Sequence, residues 1–199
     1  MSWLQRFKPY RFVGESRPCA VCGGMDRHVV ARRDRYWRPL RNVVCTHCGL
    51  VFLDPMPTAA EIERYYRDEY RQHYHGDSKP RAKSLLRDER GARERVALLA
   101  ALLRKGDRVL DIGAGTGAFV AAAVKAGWKA EGIEPNQGFA EFARTHYGVV
   151  IHATILEQSP LADASFDLVT SSHVFEHLRA PDEAFAHVHR LLKPGGSFH

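Results

Sequence analysis

The stretch VLDIGAGTGAF, residues 109–119, decides the fold. An apolar run ends at Asp111, and glycines follow at every second position, at Gly113, Gly115 and Gly117. This pattern predicts a buried strand that turns through a glycine loop into a helix. The loop differs from the dinucleotide-binding pattern GxGxxG, because its third glycine comes one residue early. A carboxylate at the strand end would repel a pyrophosphate, but it suits an ammonium group, directly or through water.

The chain after residue 105 alternates predicted strands and helices. Strands alternating with helices of this length predict an α/β fold, a Rossmann-like doubly wound and mainly parallel sheet. Such sheets bind ligands beyond the carboxyl ends of their strands, where the strand order switches. The predicted strands are 108–111, 129–133, 149–153 and 166–171. Three helices are predicted: one from the glycine loop to about residue 126, one over 137–147 and one over 182–192. A fifth strand is predicted to begin at Ser197, so we expect a domain that is truncated at strand five.

A second acidic residue indicates what the glycine loop binds. Glu134 ends the second predicted strand and lies 21 residues after Gly113, a spacing that suits a carboxylate accepting the hydroxyls of a ribose. A ligand with a ribose, a cationic amino-acid end and no phosphate is S-adenosyl-L-methionine (SAM). The pattern therefore predicts a SAM site and disfavours an NAD-dependent oxidoreductase.

All four cysteines occur in two CxxC pairs. Each pair is followed by a glycine, and 22 residues separate the pairs, which are Cys19/Cys22 and Cys45/Cys48. Two such turns at this separation predict a zinc ribbon with four thiolate ligands to a structural Zn²⁺. Disulfides and reactive thiols are the alternatives. His47 is expected to be a surface residue rather than a fifth ligand.

Composition and charge limit the class of protein. Of 199 residues, 45% are hydrophobic and 26% charged, as in ordinary globular proteins. No apolar run approaches the roughly 20 residues that cross a bilayer, and no secretion signal is evident, so we expect a cytoplasmic protein with no membrane contact. The formal net charge of +6 is concentrated in the N-terminal half, which favours nucleic acid or a phosphate-bearing substrate. Solvated arginines on helix faces are the simpler alternative.

The predicted organisation has three parts. A zinc-ribbon domain spans 1–57, a helical linker or lid region spans 58–104, and an incomplete SAM-binding Rossmann-like domain spans 105–199. Thr58 and Glu61 predict an N-cap and capping box at the start of the linker helix. Tyrosines at helical spacing in that helix, including Tyr66 and Tyr70, are expected to pack or to face a substrate cleft.

Four motifs in the second half resemble class I SAM-dependent methyltransferases. They are VLDIGAGTGAF, GIEPN, SFDLVTSSHVFEHL and RLLKPGGSF, in the usual order and spacing over residues 105–199. The first half, with its two cysteine pairs followed by CGLVFLDPMPTAAEIERYY, resembles the zinc-binding domain fused to some of these enzymes. That group includes C-methyltransferases of nucleotide-linked deoxysugars. The resemblance implies a small-molecule methyl acceptor, with a sugar or another polysaccharide or secondary-metabolite precursor as the first choice.

The resemblance also implies roles for individual residues. The methionine end of SAM would lie along the glycine loop, and the adenosine beside the end of the second strand. The implied cofactor-binding residues are Asp111, Gly113, Ala114, Gly115, Gly117, Glu134, Pro135, Asn136 and Ser171. An aspartate that contacts adenine in many relatives is replaced here by Ile155, so Glu157 or backbone amides would substitute.

The segment from Ser171 to His177 should face the transferred methyl group. His177 is the first candidate for a base or an acceptor-positioning group, and His173 is the second, because a histidine with a pKa near neutrality suits proton transfer. A structural role for His177, in helix capping or in packing beside the cofactor, is the alternative.

Two other functions fit parts of the sequence. RNA methylation is the first alternative, because zinc ribbons and basic surfaces also accompany RNA binding. Against it, Tyr36 and Trp37 are the only evident aromatic residues among the arginines between the cysteine pairs. The second is a non-catalytic module, in which the ribbon binds a partner and the methyltransferase fold is a scaffold. The sequence does not define an oligomeric state.

Overall fold

The computed structural model describes residues 10–65 and 82–199. The chain divides into two compact units, Met1–Gly76 and Asp77–His199. The boundaries at 57 and 104 inferred from the sequence remain predictions. No helix within the described residues is long and apolar enough to span a membrane.

The N-terminal unit contains a three-stranded antiparallel sheet. Its strands are β1 (Arg27–Arg33), β2 (Pro39–Cys45) and β3 (Val51–Leu53), in the order β1-β2-β3. The first two strands fill most of the chain between the cysteine pairs. Each cysteine pair lies in a turn, and both turns are at the same end of the sheet, where β2 ends at Cys45.

A capping box begins α1 (Ala59–Tyr65), the helix after the sheet. The backbone N–H of Glu61 donates to Thr58 Oγ1 at 3.3 Å, and the backbone N–H of Thr58 donates to Glu61 Oε2 at 2.8 Å. These two bonds satisfy donors that the first turn of a helix otherwise leaves unpaired. The predicted cap is confirmed, whereas Tyr66 and Tyr70 lie outside the described residues.

The C-terminal unit is a parallel sheet flanked by helices. After α2 (Ala82–Leu99), its elements are β4 (Arg108–Ile112), α3 (Ala118–Lys125), β5 (Lys129–Ile133), α4 (Gln137–Tyr147), β6 (Val150–His152), β7 (Phe166–Ser171), α5 (Pro181–Leu191) and β8 (Leu192–Phe198). The strand order is β6-β5-β4-β7-β8, and every pair is parallel. The predicted Rossmann-like α/β fold is confirmed.

Hydrophobic side chains cover both faces of this sheet. On one face, Val109 and Leu168 pack with apolar residues of α2, α3 and α4. On the other face, Leu110 and Val169 pack against α5. Because successive residues of a strand point to opposite faces, a strand covered on both sides carries consecutive apolar residues, as β4 does at VL and β7 does at LV. This burial fixes the register that brings the strand ends together.

The last strand begins earlier than the sequence predicts. A strand from Ser197 is the expectation, because Pro194, Gly195 and Gly196 are poor strand formers. The structure starts β8 at Leu192 instead and pairs that residue with Phe166. A register irregularity before Ser197 takes up the intervening residues, with Gly195 at φ +81°. A bulge of this kind tolerates the proline and glycines that a regular ladder would exclude.

Candidate cofactor site and cysteine cluster

The glycine loop lies at the point where the strand order switches. β4 is followed in the chain by its neighbour β5 on one side, while β7 lies on the other side. The backbone N–H groups of Gly113 and Ala114 both donate to the carbonyl of Ile133 at 2.9 Å, so the loop is tied to the end of β5. The Ala114 side chain packs over Gly132, where a Cβ atom would lie 2.6 Å from the Ala114 Cβ. Only the backbone of Ala114 is therefore left to face a cofactor.

The space around the three glycines of the loop differs from one position to the next. All three have positive φ, between +53° and +77°. A Cβ on Gly113 would lie 2.3 Å from Val174 Cγ2, and a Cβ on Gly117 would lie 2.5 Å from the Cβ of Ala143. A Cβ on Gly115 would meet only a backbone oxygen at 4.0 Å. The outer glycines therefore permit close packing, and the middle glycine borders open space that a ligand can use.

Glu134 connects the end of β5 to this open space. Its Oε2 accepts a hydrogen bond from the N–H of Gly115 at 2.8 Å, and its Oε1 accepts one from the N–H of Asn136 at 2.8 Å. Burial raises the pKa of Glu134 above its ordinary value; the two N–H donors lower it, and the charge of Asp111 raises it further. An ionised carboxylate offers about four acceptor sites, so two remain for ligand hydroxyls.

Asp111 is buried and already has a cationic partner. The residue is only 3% exposed, and its Oδ1 accepts hydrogen bonds from Arg95 Nη2 at 3.0 Å and from Thr170 Oγ1 at 2.6 Å. The Arg95 guanidinium also lies over the Phe119 ring at 4.0 Å. Burial raises the pKa of Asp111, and both Arg95 and Thr170 act against that rise. The carboxylate therefore belongs to a compensated cluster, and any ammonium group of a ligand would share it with Arg95.

Arg95 is a residue of this site that the sequence analysis missed. A signal was present, because Ala92 and Leu99 stand three residues before and four residues after it and both are buried. An arginine on the apolar face of a helix requires a partner for its charge. The partner itself could not be read from spacing, since Asp111 lies 16 residues away in another element.

The predicted adenosine contacts follow β5 and β6. Asn136 caps α4, since its Oδ1 accepts from the N–H of Phe139 at 3.0 Å, and Pro135 beside it is exposed. Glu157 is exposed in a 3₁₀ turn, Leu156–Gln158. Ile155, just before that turn, is 42% exposed and offers apolar surface.

The loop after β7 lies against the glycine loop. Val174 occupies the space that a side chain on Gly113 would take. Ser171 ends the strand, with its Oγ 3.4 Å from the carbonyl of Ile112. His173 has φ +58° and a side chain 90% exposed, and its Nδ1 lies 3.1 Å from Glu176 Oε1. His177 is also exposed. The structure therefore brings the first and third sequence motifs together, with both histidines accessible.

The four cysteine sulfurs form a cluster in the N-terminal unit. All lie within 4.8 Å of one another, with Cys19–Cys48 at 3.4 Å and Cys22–Cys45 at 3.5 Å. A disulfide requires about 2.0 Å, so all four thiols are free. Tetrahedral thiolates on zinc are separated by about 3.8 Å, given a zinc–sulfur distance of about 2.3 Å. The cluster therefore has the dimensions of a four-thiolate metal site.

Both cysteine turns are built alike. The N–H of Gly23 donates to the carbonyl of Cys19 at 2.8 Å, and the N–H of Gly49 donates to that of Cys45 at 3.0 Å. Both glycines have left-handed φ, +71° and +79°, as the sequence predicts. Backbone N–H groups after Cys45 donate to its sulfur and lower the pKa of that thiol to about 6. His47 is exposed and outside the four-sulfur group.

The comparisons with known proteins agree with this geometry. Residues 110–199 match the family model described as a methyltransferase domain. The chain is 35% identical to a ubiquinone/menaquinone biosynthesis C-methyltransferase of Rubrivivax gelatinosus, over 47% of this chain and 38% of that protein. It is 36% identical to a malonyl-[acyl-carrier protein] O-methyltransferase of Methylococcus capsulatus, over 50% and 40%.

Solved structures show the same fold. A Methanococcus maripaludis protein assigned to the SAM-dependent methyltransferases superposes with a TM-score of 0.52 at 20% identity, over 59% of this chain and 57% of that one. A chain from the complex of the Haloferax volcanii Trm112 methyltransferase activator with a methyltransferase gives 0.50 at 25% identity, over 58% and 55%.

Residues 110–199 therefore combine a match to the methyltransferase-domain model with the fold of these solved structures. The chain spans less than half the length of the curated relatives described above.

The cluster of Arg95, Asp111 and Thr170 predicts coupled effects on stability. Arg95→Met leaves the buried Asp111 without a cation, which should cost about 3–5 kcal/mol of unfolding free energy. Asp111→Asn should also destabilise. In the double variant the losses should fall short of their sum by about 0.5–3 kcal/mol, measured by urea unfolding.

A matched control is Arg90→Met. Arg90 lies on the same helix, is largely exposed and pairs only with the exposed Glu94, so this change should cost less than about 1 kcal/mol. Strictly additive losses for Arg95→Met and Asp111→Asn would contradict the inferred pairing.

Proposed function

We propose that the protein is a SAM-dependent methyltransferase acting on a small-molecule acceptor, with a nucleotide-linked sugar as the first candidate. One observation carries the proposal: the carboxylate of Glu134 lies at the end of β5 and is hydrogen-bonded to the backbone of Gly115, beside open space in the glycine loop. The methyltransferase domain match supports the reaction class.

The residues present fit SAM better than a dinucleotide. Glu134 keeps two acceptor sites for ribose hydroxyls, and its negative charge, with that of Asp111 nearby, disfavours a diphosphate. Gly115 has positive φ and no neighbour to restrict approach, so a ligand can approach the backbone there. Arg95, next to Asp111, would suit the carboxylate of the methionine end while Asp111 suits its ammonium group.

SAM, when bound, supplies a methyl group on a positively charged sulfur. The acceptor nucleophile attacks the methyl carbon in line with the carbon–sulfur bond, and the sulfur is the leaving group. The protein's contribution is to bind, align and exclude water. Glu134 would orient the ribose, and the glycine loop would hold the methionine end. The loop from Ser171 to His177 would position the acceptor, because Val174 places that loop against Gly113.

The names of two curated relatives support a small-molecule acceptor. The two curated relatives described above are named for a C-methylation in quinone biosynthesis and an O-methylation of a carrier-bound malonyl group, and neither acts on nucleic acid by its name. This favours a small acceptor over RNA. The sugar assignment rests on the resemblance of the N-terminal half to the sugar C-methyltransferases.

His177 and His173 are the candidate groups for removing the proton of an acceptor. His173 is held by Glu176 and has a strained backbone, which is common at functional sites.

Zinc bound by Cys19, Cys22, Cys45 and Cys48 is the second part of the proposal. The four-sulfur cluster supports it, since the spacing and the two glycine turns suit a closed tetrahedral site. Such a site has no open position for chemistry, so the metal would stabilise a unit whose described sheet has only three strands.

Glu134→Gln is expected to weaken SAM binding about tenfold to a hundredfold, because an amide replaces a charged acceptor of two hydroxyls. Isothermal titration of the full chain with SAM measures this. In the unchanged protein, SAM affinity should fall as the pH is lowered through the raised pKa of Glu134, since protonation removes acceptor capacity. The variant should lack this dependence.

The matched control is Glu141→Gln, an exposed carboxylate on α4 that should leave SAM affinity unchanged. If the unchanged, folded protein gave no heat with SAM, the proposed activity would be wrong. If Glu134→Gln bound SAM normally, only the ribose assignment would fail.

Metal analysis is expected to find one zinc per chain. Cys48→Ala should lose the metal and lower the melting temperature of the N-terminal unit, whereas His47→Ala should keep both, because His47 lies outside the four-sulfur group. A metal-free preparation with four titratable thiols and an unchanged melting temperature would contradict the zinc proposal.

Substitution of the histidines separates catalysis from packing. With an acceptor in hand, His177→Asn or His173→Asn should lower turnover about a hundredfold if that residue is the base, with SAM affinity almost unchanged. Equal losses of turnover and affinity in a variant would assign that histidine to packing.

A further inference from the structure

The turn between β1 and β2 exposes two aromatic side chains. We call residues 34–37 the hairpin tip. Trp37 is 67% exposed and Tyr36 is 40% exposed. Trp37 also has φ +64°, in the left-handed region that bulky side chains avoid. An exposed indole contributes little burial to the fold while its left-handed backbone costs stability, which indicates that the tip is retained for contact with a ligand.

Hydrogen bonds hold the tip in this conformation. The Asp34 Oδ1 accepts from the backbone N–H groups of Tyr36 and Arg38, both at 2.8 Å, and its Oδ2 accepts from the Tyr10 hydroxyl at 2.7 Å. The N–H of Trp37 donates to the carbonyl of Asp34 at 3.0 Å. The aromatic side chains are therefore presented by an ordered turn.

Arginines surround these rings. Residues 27–45 contain six arginines and one acidic residue, Asp34. Arg33 Nη1 donates to the carbonyl of Trp37 at 2.8 Å, and the Arg35 guanidinium lies over the Tyr36 ring at 4.7 Å. The tip therefore combines flat apolar faces with fixed positive charge.

Half of these six arginines form no ion pair within the described residues. Within the described residues, Asp54 forms ion pairs with Arg27 and Arg41. None of the exposed Arg32, Arg33 and Arg35 has a carboxylate partner among those pairs. Two of these three arginines, Arg33 and Arg35, contact Trp37 and Tyr36 respectively.

We propose that the hairpin tip binds single-stranded nucleic acid. Unpaired bases would stack on Trp37 and Tyr36, and the phosphates that join them would contact Arg32 and Arg35. Stacking is available to every base, whereas paired bases in a duplex present no free faces. The proposal does not depend on the methyl acceptor.

The shape of the tip favours a polymer over a small ligand. Small-molecule sites are concave and bury most of their ligand, but Trp37 and Tyr36 lie on an exposed turn. A strand that spans several phosphates gains affinity from each arginine, which a single nucleotide cannot do. An acidic peptide would match the charge but would leave the indole without a stacking partner.

The test is fluorescence anisotropy of a labelled twelve-nucleotide uridine RNA with the full chain, without SAM, over a salt series. Affinity should fall with rising salt, as counterions are released. Trp37→Gly removes the ring and suits positive φ, so it should not destabilise the turn, yet it should weaken binding about tenfold or more. Trp37→Tyr should keep most of the affinity. Arg35→Gln should weaken binding and flatten the salt dependence.

Two variants outside the N-terminal unit are matched controls. Arg90→Gln removes an exposed arginine from α2, and Phe185→Ala removes an exposed aromatic from α5. Both should bind the RNA like the unchanged protein. The far-ultraviolet circular dichroism and the melting temperature of every variant confirm that it is folded.

Several results would overturn the proposal. They are an absence of salt-sensitive binding at low salt, tip variants that bind like the controls, equal affinity for the duplex form of the same RNA, and displacement of the RNA by uridine monophosphate at an equal nucleotide concentration. None of these results bears on SAM binding, so the failure of this inference is distinguishable from the failure of the proposed methyl transfer.

Discussion

The hydrogen bond from the Gly115 backbone to Glu134 holds the candidate cofactor site together. It joins the loop after β4 to the end of β5, and it fixes the carboxylate beside the one glycine of the loop that borders open space. The bond depends on the parallel register of the two strands, which ends both at the same edge of the sheet, with Ile112 beside Ile133. That register depends in turn on apolar packing on both faces of β4.

The charges at this edge are balanced rather than simply acidic. Asp111 alone would make the site attractive to any cation, but Arg95 compensates it from α2. The pair can recognise the two opposite charges of an amino-acid group, while Glu134 takes neutral hydroxyls. A ligand with a ribose and a zwitterionic end matches all three groups, and a diphosphate matches only Arg95. In the proposed SAM site, selectivity would therefore rest on three side chains from different elements.

Much of the fold and of the candidate site could be predicted from the sequence, because local sequence patterns specify them. The glycines of the loop, the position of Glu134 and the cysteine turns are encoded by residue type and spacing. Arg95 could not be placed, because its partners Asp111 and Thr170 lie 16 and 75 residues away and meet only after the sheet forms. The predicted start of β8 was wrong, because Pro194 and Gly195 disfavour a strand and only the pairing with β7 overrides that preference. Trp37 was recognised as an aromatic residue, but its exposure and strained backbone depend on Asp34, whose contacts no local pattern specifies.

The most direct measurement is a crystal structure of the protein grown with S-adenosylhomocysteine and NAD⁺ at equal concentrations. The account predicts one nucleoside in the glycine loop, with its ribose hydroxyls on Glu134, its amino-acid end beside Arg95 and Asp111, and no phosphate at Gly115. Density for a dinucleotide in that loop, with its pyrophosphate at the N-terminus of α3, would contradict it.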